Sequence, residues 1–212
     1  EVLRDAFPWC AEWEPELRAL FRSYVERKQA NGVLDYDDLL LWWHAMMEEP
    51  ALAARIGAGF DHVLVDEYQD TNALQARILL ALKPDGRGVT VVGDDAQAIY
   101  SFRAATVDNI LAFPGHFSPP AAVVTLERNY RSVQPVLDTA NALMAGVDRR
   151  FRKQLQAQRG GGARPRLVTV LDDGAQAQYV VERVLETREA GVPLRRQAVL
   201  FRSSHHSDGL EV

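Results

Sequence analysis

The sequence predicts an α/β fold, with parallel sheets flanked by helices, behind a helical N-terminal segment. Three observations carry that expectation. From Phe60 onward, short Val/Leu-rich runs alternate with helix-patterned stretches, which is how parallel strands joined by helical crossovers read. The runs "HVLVDE", "VTVVGDD", "AVVTLERN", "RLVTVLDD" and "AVLFRSS" all end on charged or polar residues, as strands do when they feed a ligand edge. Ahead of Phe60 two helix-patterned stretches come first.

Taken in order, "EWEPELRALFRSYVERKQANG" (12–32) has the spacing of an amphipathic helix ending at Gly32. "DYDDLLLWWHAMMEE" (35–49) is a second helix, whose acidic first turn suits the helix dipole. Its Trp42, Trp43, Met46 and Met47 read as core packing rather than a cofactor box. "VLVDEYQDTNALQ" (63–75) carries a strand to the surface and into a helix, with Asp70 and Thr71 as N-cap types before "NALQARILLAL". "VQPVLDTANALMAGV" and "AQAQYVVERVLETREAG" each space their apolar residues for one helix face. Pro-rich "FPGHFSPPA" (113–121) breaks the alternation and sets a boundary near residue 118, while "QRGGGARP" (158–165) reads as a flexible loop. The expected organisation is a helical segment at 1–34, one α/β part at 35–117 and another at 118–212.

Composition narrows the class. The chain has 212 residues, 47% hydrophobic and 25% charged, enough to bury a core and too apolar for a disordered chain. A single cysteine, Cys10, excludes an internal disulfide and suits a reducing cytoplasm; it reads as a small hydrophobe rather than a nucleophile. No run approaches membrane-span length and the N-terminus has no signal pattern, so a soluble cytoplasmic protein without a membrane partner is expected. The net charge of −5 argues against a uniformly basic surface, yet a local groove can still be positive. The chain opens on Glu1 and closes on "DGLEV", which reads as the start of another element.

The chemistry begins where the first apolar run ends on Asp66 and Glu67. Carboxylates beyond the carboxyl end of a parallel strand are placed to hold a metal and a water. From the residues alone, several readings stay open. Asp66, Glu67, Asp94 and Asp95 suit the paired ions of a metal-dependent nuclease. Gln97 reads as an exposed loop residue, and Tyr100 and Phe102 fit either a core or a base-stacking surface. Tyr130 and Arg131 fit a buried aromatic and a surface ion pair with Glu127. His205 and His206, being adjacent, lack the helical spacing of a metal pair. The basic stretch 149–166 has seven Arg or Lys and no acid, and reads first as a solvated loop and second as a source of phosphate contacts.

"VDEYQDTN" (65–72), "VVGDDAQAIYSFRAA" (91–105) and "LERNYRS" (126–132) resemble, in order and spacing, three motifs of the UvrD/Rep/PcrA-like superfamily 1 DNA helicases. The similarity extends over nearly all of the chain from about Asp35 onward. It implies parts of two RecA-like P-loop NTPase domains that clamp ATP and Mg²⁺ and step three-prime to five-prime along single-stranded or partly duplex DNA, in repair or replication, with room for accessory repair proteins. Carried over by motif, Asp66 holds the metal, Glu67 activates water, Gln97 senses the γ-phosphate, Tyr130 stacks on adenine and Arg131 acts as an arginine finger. Tyr100 and Phe102 stack on DNA bases, Arg103 meets a DNA phosphate or braces the ATP site, and Arg202 and Ser204 of "FRSSHH" touch the strand.

Two departures matter. Ser101 and Ala104 stand where the family commonly has Gly, which stiffens that loop. None of the three lysines, Lys28, Lys83 and Lys153, follows a Gly, so no Gly-Lys-Ser/Thr phosphate loop is present in this sequence. The expectation is therefore a middle portion of a longer helicase, inactive alone. A non-catalytic DNA-binding or interaction module of helicase ancestry is the other reading.

Overall fold

Capping chemistry and apolar spacing agree in the N-terminal third, and helices form there. The computed structural model describes residues 2–210, with the side chains of Val2 and Arg103 outside that description. Helix α1 (Val2–Ala6) leads through a 3-10 turn into α2 (Glu14–Asn31), which stops at Gly32 in the left-handed conformation, φ 60°. Helix α3 (Tyr36–Glu48) opens on a reciprocal cap: Asp35 accepts from the Asp38 N–H at 2.9 Å and Asp38 from the Asp35 N–H at 3.0 Å. Lys28 of α2 donates to both carboxylates, at 2.8 and 2.6 Å, and the Tyr24 hydroxyl donates to Asp35 at 2.8 Å. The hydrogen bond from Lys28, then those from the Asp38 N–H and Tyr24, hold the Asp35 carboxyl below its ordinary range.

Helix α4 (Pro50–Gly57) and α5 (Ala73–Leu82) bracket strand β1 (Val63–Val65). Strand β2 (Val89–Val91) lies parallel to β1, with Val63 opposite Val89 and Val65 opposite Val91. Met47, Ala53, Ile78 and Leu82 fill the space between α3, α4 and α5. Gly57 is required at that contact, since a Cβ there would lie 2.5 Å from the Leu82 carbonyl oxygen. A second cluster, Tyr68, Leu79, Ile110 and Phe113, packs against the sheet valines, with α6 (Asp108–Ala112) closing it.

Further along, β3 (Arg128–Val133) and β4 (Gln156–Arg159) form another parallel pair around the crossover helix α7 (Gln134–Ala145). Asn141 of α7 holds Leu155 from both sides, donating to its carbonyl and accepting from its N–H at 3.0 Å each. Helix α8 (Asp173–Glu189) is capped by Asp172, which accepts from the Ala175 N–H at 2.8 Å.

Several sequence expectations are corrected here. Helix α5 is capped by Asn72, not by Asp70 or Thr71, because Asn72 and Gln75 exchange side chain-to-backbone bonds of 2.9 Å. Of the apolar runs, "RLVTVLDD" and "AVLFRSS" are coil with Leu167, Leu171 and Leu200 almost fully exposed, since a strand needs a neighbour to pair with and these have none among the described residues. The strand expected in "AVVTLERN" starts only at Arg128, and β4 begins within the basic stretch and runs into the expected loop. Trp42, Trp43 and Met46 are exposed while Met47 alone is buried, because only the Met47 face of α3 meets α4 and α5. Cys10 is free and half-buried. Asp208–Leu210 form a 3-10 turn, and Glu211 and Val212 lie outside the described residues. Among the described residues no helix is long and apolar enough to cross a membrane.

Met47 is 4% exposed and Trp42 59%, so their truncation should separate cleanly. Met47→Ala should lower stability by about 2–5 kcal/mol and Trp42→Ala by no more than about 0.5 kcal/mol in urea denaturation of the chain.

Candidate active site

The ladder between β1 and β2 continues one step past the strands: the Val92 N–H donates to the Val65 carbonyl at 2.7 Å and the Tyr68 N–H to the Val92 carbonyl at 2.9 Å. Between these bonds the chain turns sharply, with Glu67 in the left-handed region at φ 50°, a conformation that costs a non-glycine residue roughly 1–2 kcal/mol. Buried Tyr68 pins the turn, its ring edge-on to Phe113 at 5.2 Å. The segment after β2 returns to brace it: Asn109 donates to the Thr71 carbonyl at 2.9 Å, the Thr106 N–H to the same oxygen at 3.2 Å, and Asn72 bridges Ala105.

Asp66 and Glu67 are both exposed at the strand end, and the Glu67 N–H donates to Asp66 Oδ1 at 2.9 Å. Gln69 lies beneath them, 1% exposed. Its Nε2 donates to Glu67 Oε2 at 2.7 Å and its Oε1 accepts from the Asp94 N–H at 3.0 Å. Asp94 in turn caps the 3-10 turn Asp95–Gln97, accepting from the Ala96 N–H at 3.0 Å and from Gln97 Nε2 at 2.9 Å. The structure thus brings Asp66, Glu67 and Gln97 onto one hydrogen-bonded edge. Sequence reasoning assigned nothing to Gln69; the available signal was an amide side chain two residues beyond Glu67, able to donate and accept at once.

The basic stretch is the solvated loop that composition suggested only over 160–166, which is exposed coil; its first part is tied down. Lys153 Nζ donates to Asp94 Oδ1 and, at 3.0 Å, to Asp95 Oδ1, whose side chain is 3% exposed. The Phe151 N–H donates to the other Asp95 oxygen at 3.0 Å, and Arg149 pairs with Asp108 at 2.8 Å. Burial pulls Lys153 down, but its hydrogen bonds to Asp94 and Asp95 more than reverse that and leave it raised. Burial likewise pushes the Asp94 carboxyl up, and the bonds from Gln97 and Lys153 outweigh it and leave the group lowered. This ammonium occupies the acids a paired-metal nuclease would need, and among the described residues no three His, Cys, Asp or Glu converge to hold a metal.

Tyr100 and Phe102 sit in and beside the 3-10 turn Ser101–Arg103, their rings 5.7 Å apart. Phe102 is 75% exposed, so the core alternative is not realised. The side chain of Arg103 lies outside the described residues. A hollow of about 200 Å³ runs from Gln69 to this turn, lined also by Ala98, Tyr100, Ser101 and Thr106.

Tyr130 and Arg131 sit where β3 bulges, since the pairs Asn129–Ala157 and Val133–Arg159 set four steps of β3 against two of β4. Asn129 Oδ1 supports the bulge, accepting from the N–H groups of Arg131 at 3.0 Å and Ser132 at 2.7 Å. Both side chains are exposed, and Glu127 takes the Gln154 N–H at 2.7 Å rather than pairing with Arg131. Arg202 and exposed Ser204 belong to the C-terminal segment whose last turn packs on α8. The rings of His205 and His206 are tilted by 51° with centres 4.1 Å apart, and Ser203 Oγ lies 2.8 Å from His205 Nδ1.

Residues 10–118 match the model of the UvrD/REP helicase N-terminal domain and residues 124–212 that of the UvrD-like helicase C-terminal domain. The chain is 34% identical to DNA helicase II of Escherichia coli over 93% of its own length and 28% of the relative's. It is 31% identical to the ATP-dependent DNA helicase PcrA of Staphylococcus epidermidis, over 91% of the chain and 26% of that protein. Against the putative ATP-dependent DNA helicase YjcD of Bacillus subtilis it is 30% identical, over 96% of the chain and 27% of the relative. The chain therefore spans about a quarter of the length of these relatives.

Lys153→Met should lower stability by about 1–3 kcal/mol, less than a fully buried pair would lose because Asp94 is partly exposed. Asp94 is held below its ordinary 3.8, so its contribution is present above that value and lost as pH falls through its folded range. Lys153 is held above its ordinary 10.5, so its contribution is present below that value and lost as pH rises past it. Denaturation from pH 3 to 11 should show the gap between parent and variant open in the middle and closing at both ends. Ala104, left-handed at φ 60°, gives a separate check: Ala104→Gly should raise stability, by up to about 1 kcal/mol, in the same assay.

Proposed function

The chain belongs to the UvrD/Rep helicase family, and from that premise we propose that it forms the nucleotide- and DNA-facing middle of an ATP-dependent translocase on single-stranded DNA. One observation carries the proposal: two adjacent parallel strands end side by side and deliver Asp66–Glu67 and Asp94–Gln97 to a single edge. Phosphoryl transfer asks mainly for positioning and charge neutralisation, and such an edge supplies both.

In this reading Asp66, an exposed carboxylate, holds Mg²⁺ against the phosphates of ATP; its hard oxygens suit that ion, and Mg²⁺ when bound neutralises charge developing on the phosphates. Glu67 accepts a proton from the attacking water. Gln97 exchanges its bond to Asp94 for the γ-phosphate and so reports the presence of that group. Arg131 is the finger supplied by residues 118–212, and Tyr130 stacks on the adenine. Tyr100, Phe102, Arg103, Arg202 and Ser204 form the DNA-facing set; exposed Phe102 beside Tyr100 has the character of a stacking platform.

The proposed domains are a helical segment at 1–34 and RecA-like parts at 35–117 and 118–212. Three-prime to five-prime movement, strand separation in repair or replication, accessory repair proteins and a cytoplasmic setting complete the proposal. The nuclease reading has no support from the edge, where Lys153 already pairs with Asp94 and Asp95.

With no Gly-Lys-Ser/Thr loop in its sequence, the 212-residue chain alone should turn over almost no ATP, even with Mg²⁺ and single-stranded DNA. In the full-length helicase, Glu67→Gln should bind ATP and lose most hydrolysis, and Arg131→Ala should lose turnover by a factor on the order of 10³. Normal steady-state hydrolysis in either variant removes that residue from the site. Phe102→Ala should weaken oligonucleotide binding roughly tenfold, read by fluorescence anisotropy, with nucleotide affinity in the absence of DNA unchanged.

A further inference from the structure

Glu67 is exposed on a long side chain, and among the described residues its carboxylate receives one hydrogen bond, from Gln69 Nε2 at 2.7 Å. A base that must meet a water in a fixed direction needs its carboxylate held. We infer that Gln69 is a positioning residue for the hydrolytic step, tying the Glu67 carboxylate to the main chain of Asp94. The inference rests on the assignment of Glu67 proposed above.

The geometry suits that task better than simple packing. Gln69 is 1% exposed and spends both ends of one planar amide, donating to Glu67 and accepting from the Asp94 N–H at 3.0 Å. Glutamate in its place would lack the donor and leucine both groups, so only an amide side chain can make the two bonds at once. The backbone makes room for it. A Cβ on Gly93 would sit 2.6 Å from Gln69 Oε1 and 3.2 Å from its backbone nitrogen, so the residue before Asp94 is one without a side chain. Asp94 is itself fixed by Gln97, Ala96 and Lys153, so Gln69 carries Glu67 onto a rigid anchor rather than onto another mobile group. The same chain of bonds runs from the proposed water activator to the proposed phosphate sensor, and on through Lys153 to the residues before β4.

The test uses the full-length helicase with saturating single-stranded oligonucleotide, reading kcat and KM for ATP together with the melting temperature. Gln69→Glu keeps the shape and the acceptor for Asp94 but removes the donor to Glu67; Gln69→Leu removes both bonds without adding charge. Each should lower kcat by about 10- to 100-fold, the usual effect of losing a partner that orients a catalytic group, with KM changed no more than about threefold. Because Gln69 acts through Glu67, adding Gln69→Leu to Glu67→Gln should cost no further activity. A Gln69→Glu enzyme that melts like the parent with kcat within about twofold of it overturns the inference, as do losses that multiply in the double variant. If Gln69→Glu, which sets a second carboxylate in a buried site beside Glu67, does not fold, Gln69→Leu decides alone by the same two criteria. Normal hydrolysis by Glu67→Gln would sink the underlying assignment and the inference with it, whereas an inactive Glu67→Gln beside fully active Gln69 variants would sink the inference only.

Discussion

The three-residue parallel pairing of β1 with β2 is the constraint on which the rest of the site depends. With Val63 opposite Val89 and Val65 opposite Val91, both strands release their chains at the same level. The carboxyl pair of one strand and the acid-capped turn of the other then lie within reach of a single glutamine amide. A slip of one residue would exchange the faces of every side chain in the strand, burying Leu64 and exposing the valines that pack on Tyr68 and Phe113. Register and function are in this sense one property: the apolar contacts beneath the sheet select the alignment that brings Glu67, Gln69 and Asp94 together.

Charge is handled at this edge by pairing rather than by exposure. Asp95 is almost fully buried, and Asp94 partly so, yet each accepts hydrogen bonds from Lys153, and Asp95 takes a backbone N–H as well. Removing carboxylates from water without such partners would cost several kcal/mol each. The lysine comes from the segment between α7 and β4, so the same interaction that satisfies the acids fastens the C-terminal part of the chain to the N-terminal part. Asp66 and Glu67 stay open to solvent, as the roles proposed for them require. Along one strand edge, the acids that stabilise are covered and the acids that would react are not.

Local rules were sufficient for much of the molecule. The helix in 12–32 and its closing Gly32, the acidic start of α3, and the helices α7 and α8 were readable because each depends on neighbours three or four residues away. The parallel class of β1 and β2 was readable for a similar reason, as a helix-length crossover separates them. Motif order carried the family, and with it the residues to examine. Strand boundaries were legible only in part. "RLVTVLDD" has the composition of a strand and forms none, while "QAQR" lacks that composition and pairs with β3.

The sequence by itself determined most of the longer helices, the parallel class of β1 and β2, the family and the acidic edge that follows those strands, because these depend on periodicity and on residue types adjacent in the chain. Only the tertiary structure decided which residues hold that edge together. Gln69 meets Asp94 across 25 positions and Lys153 meets Asp94 across 59, and no local pattern encodes a contact of that span. The exposure of Trp42 beside the burial of Met47 was decided in the same way, by which face of α3 found α4 and α5 to pack against. A side chain's type states what bonds it can make; the fold alone brings the partner within 3 Å.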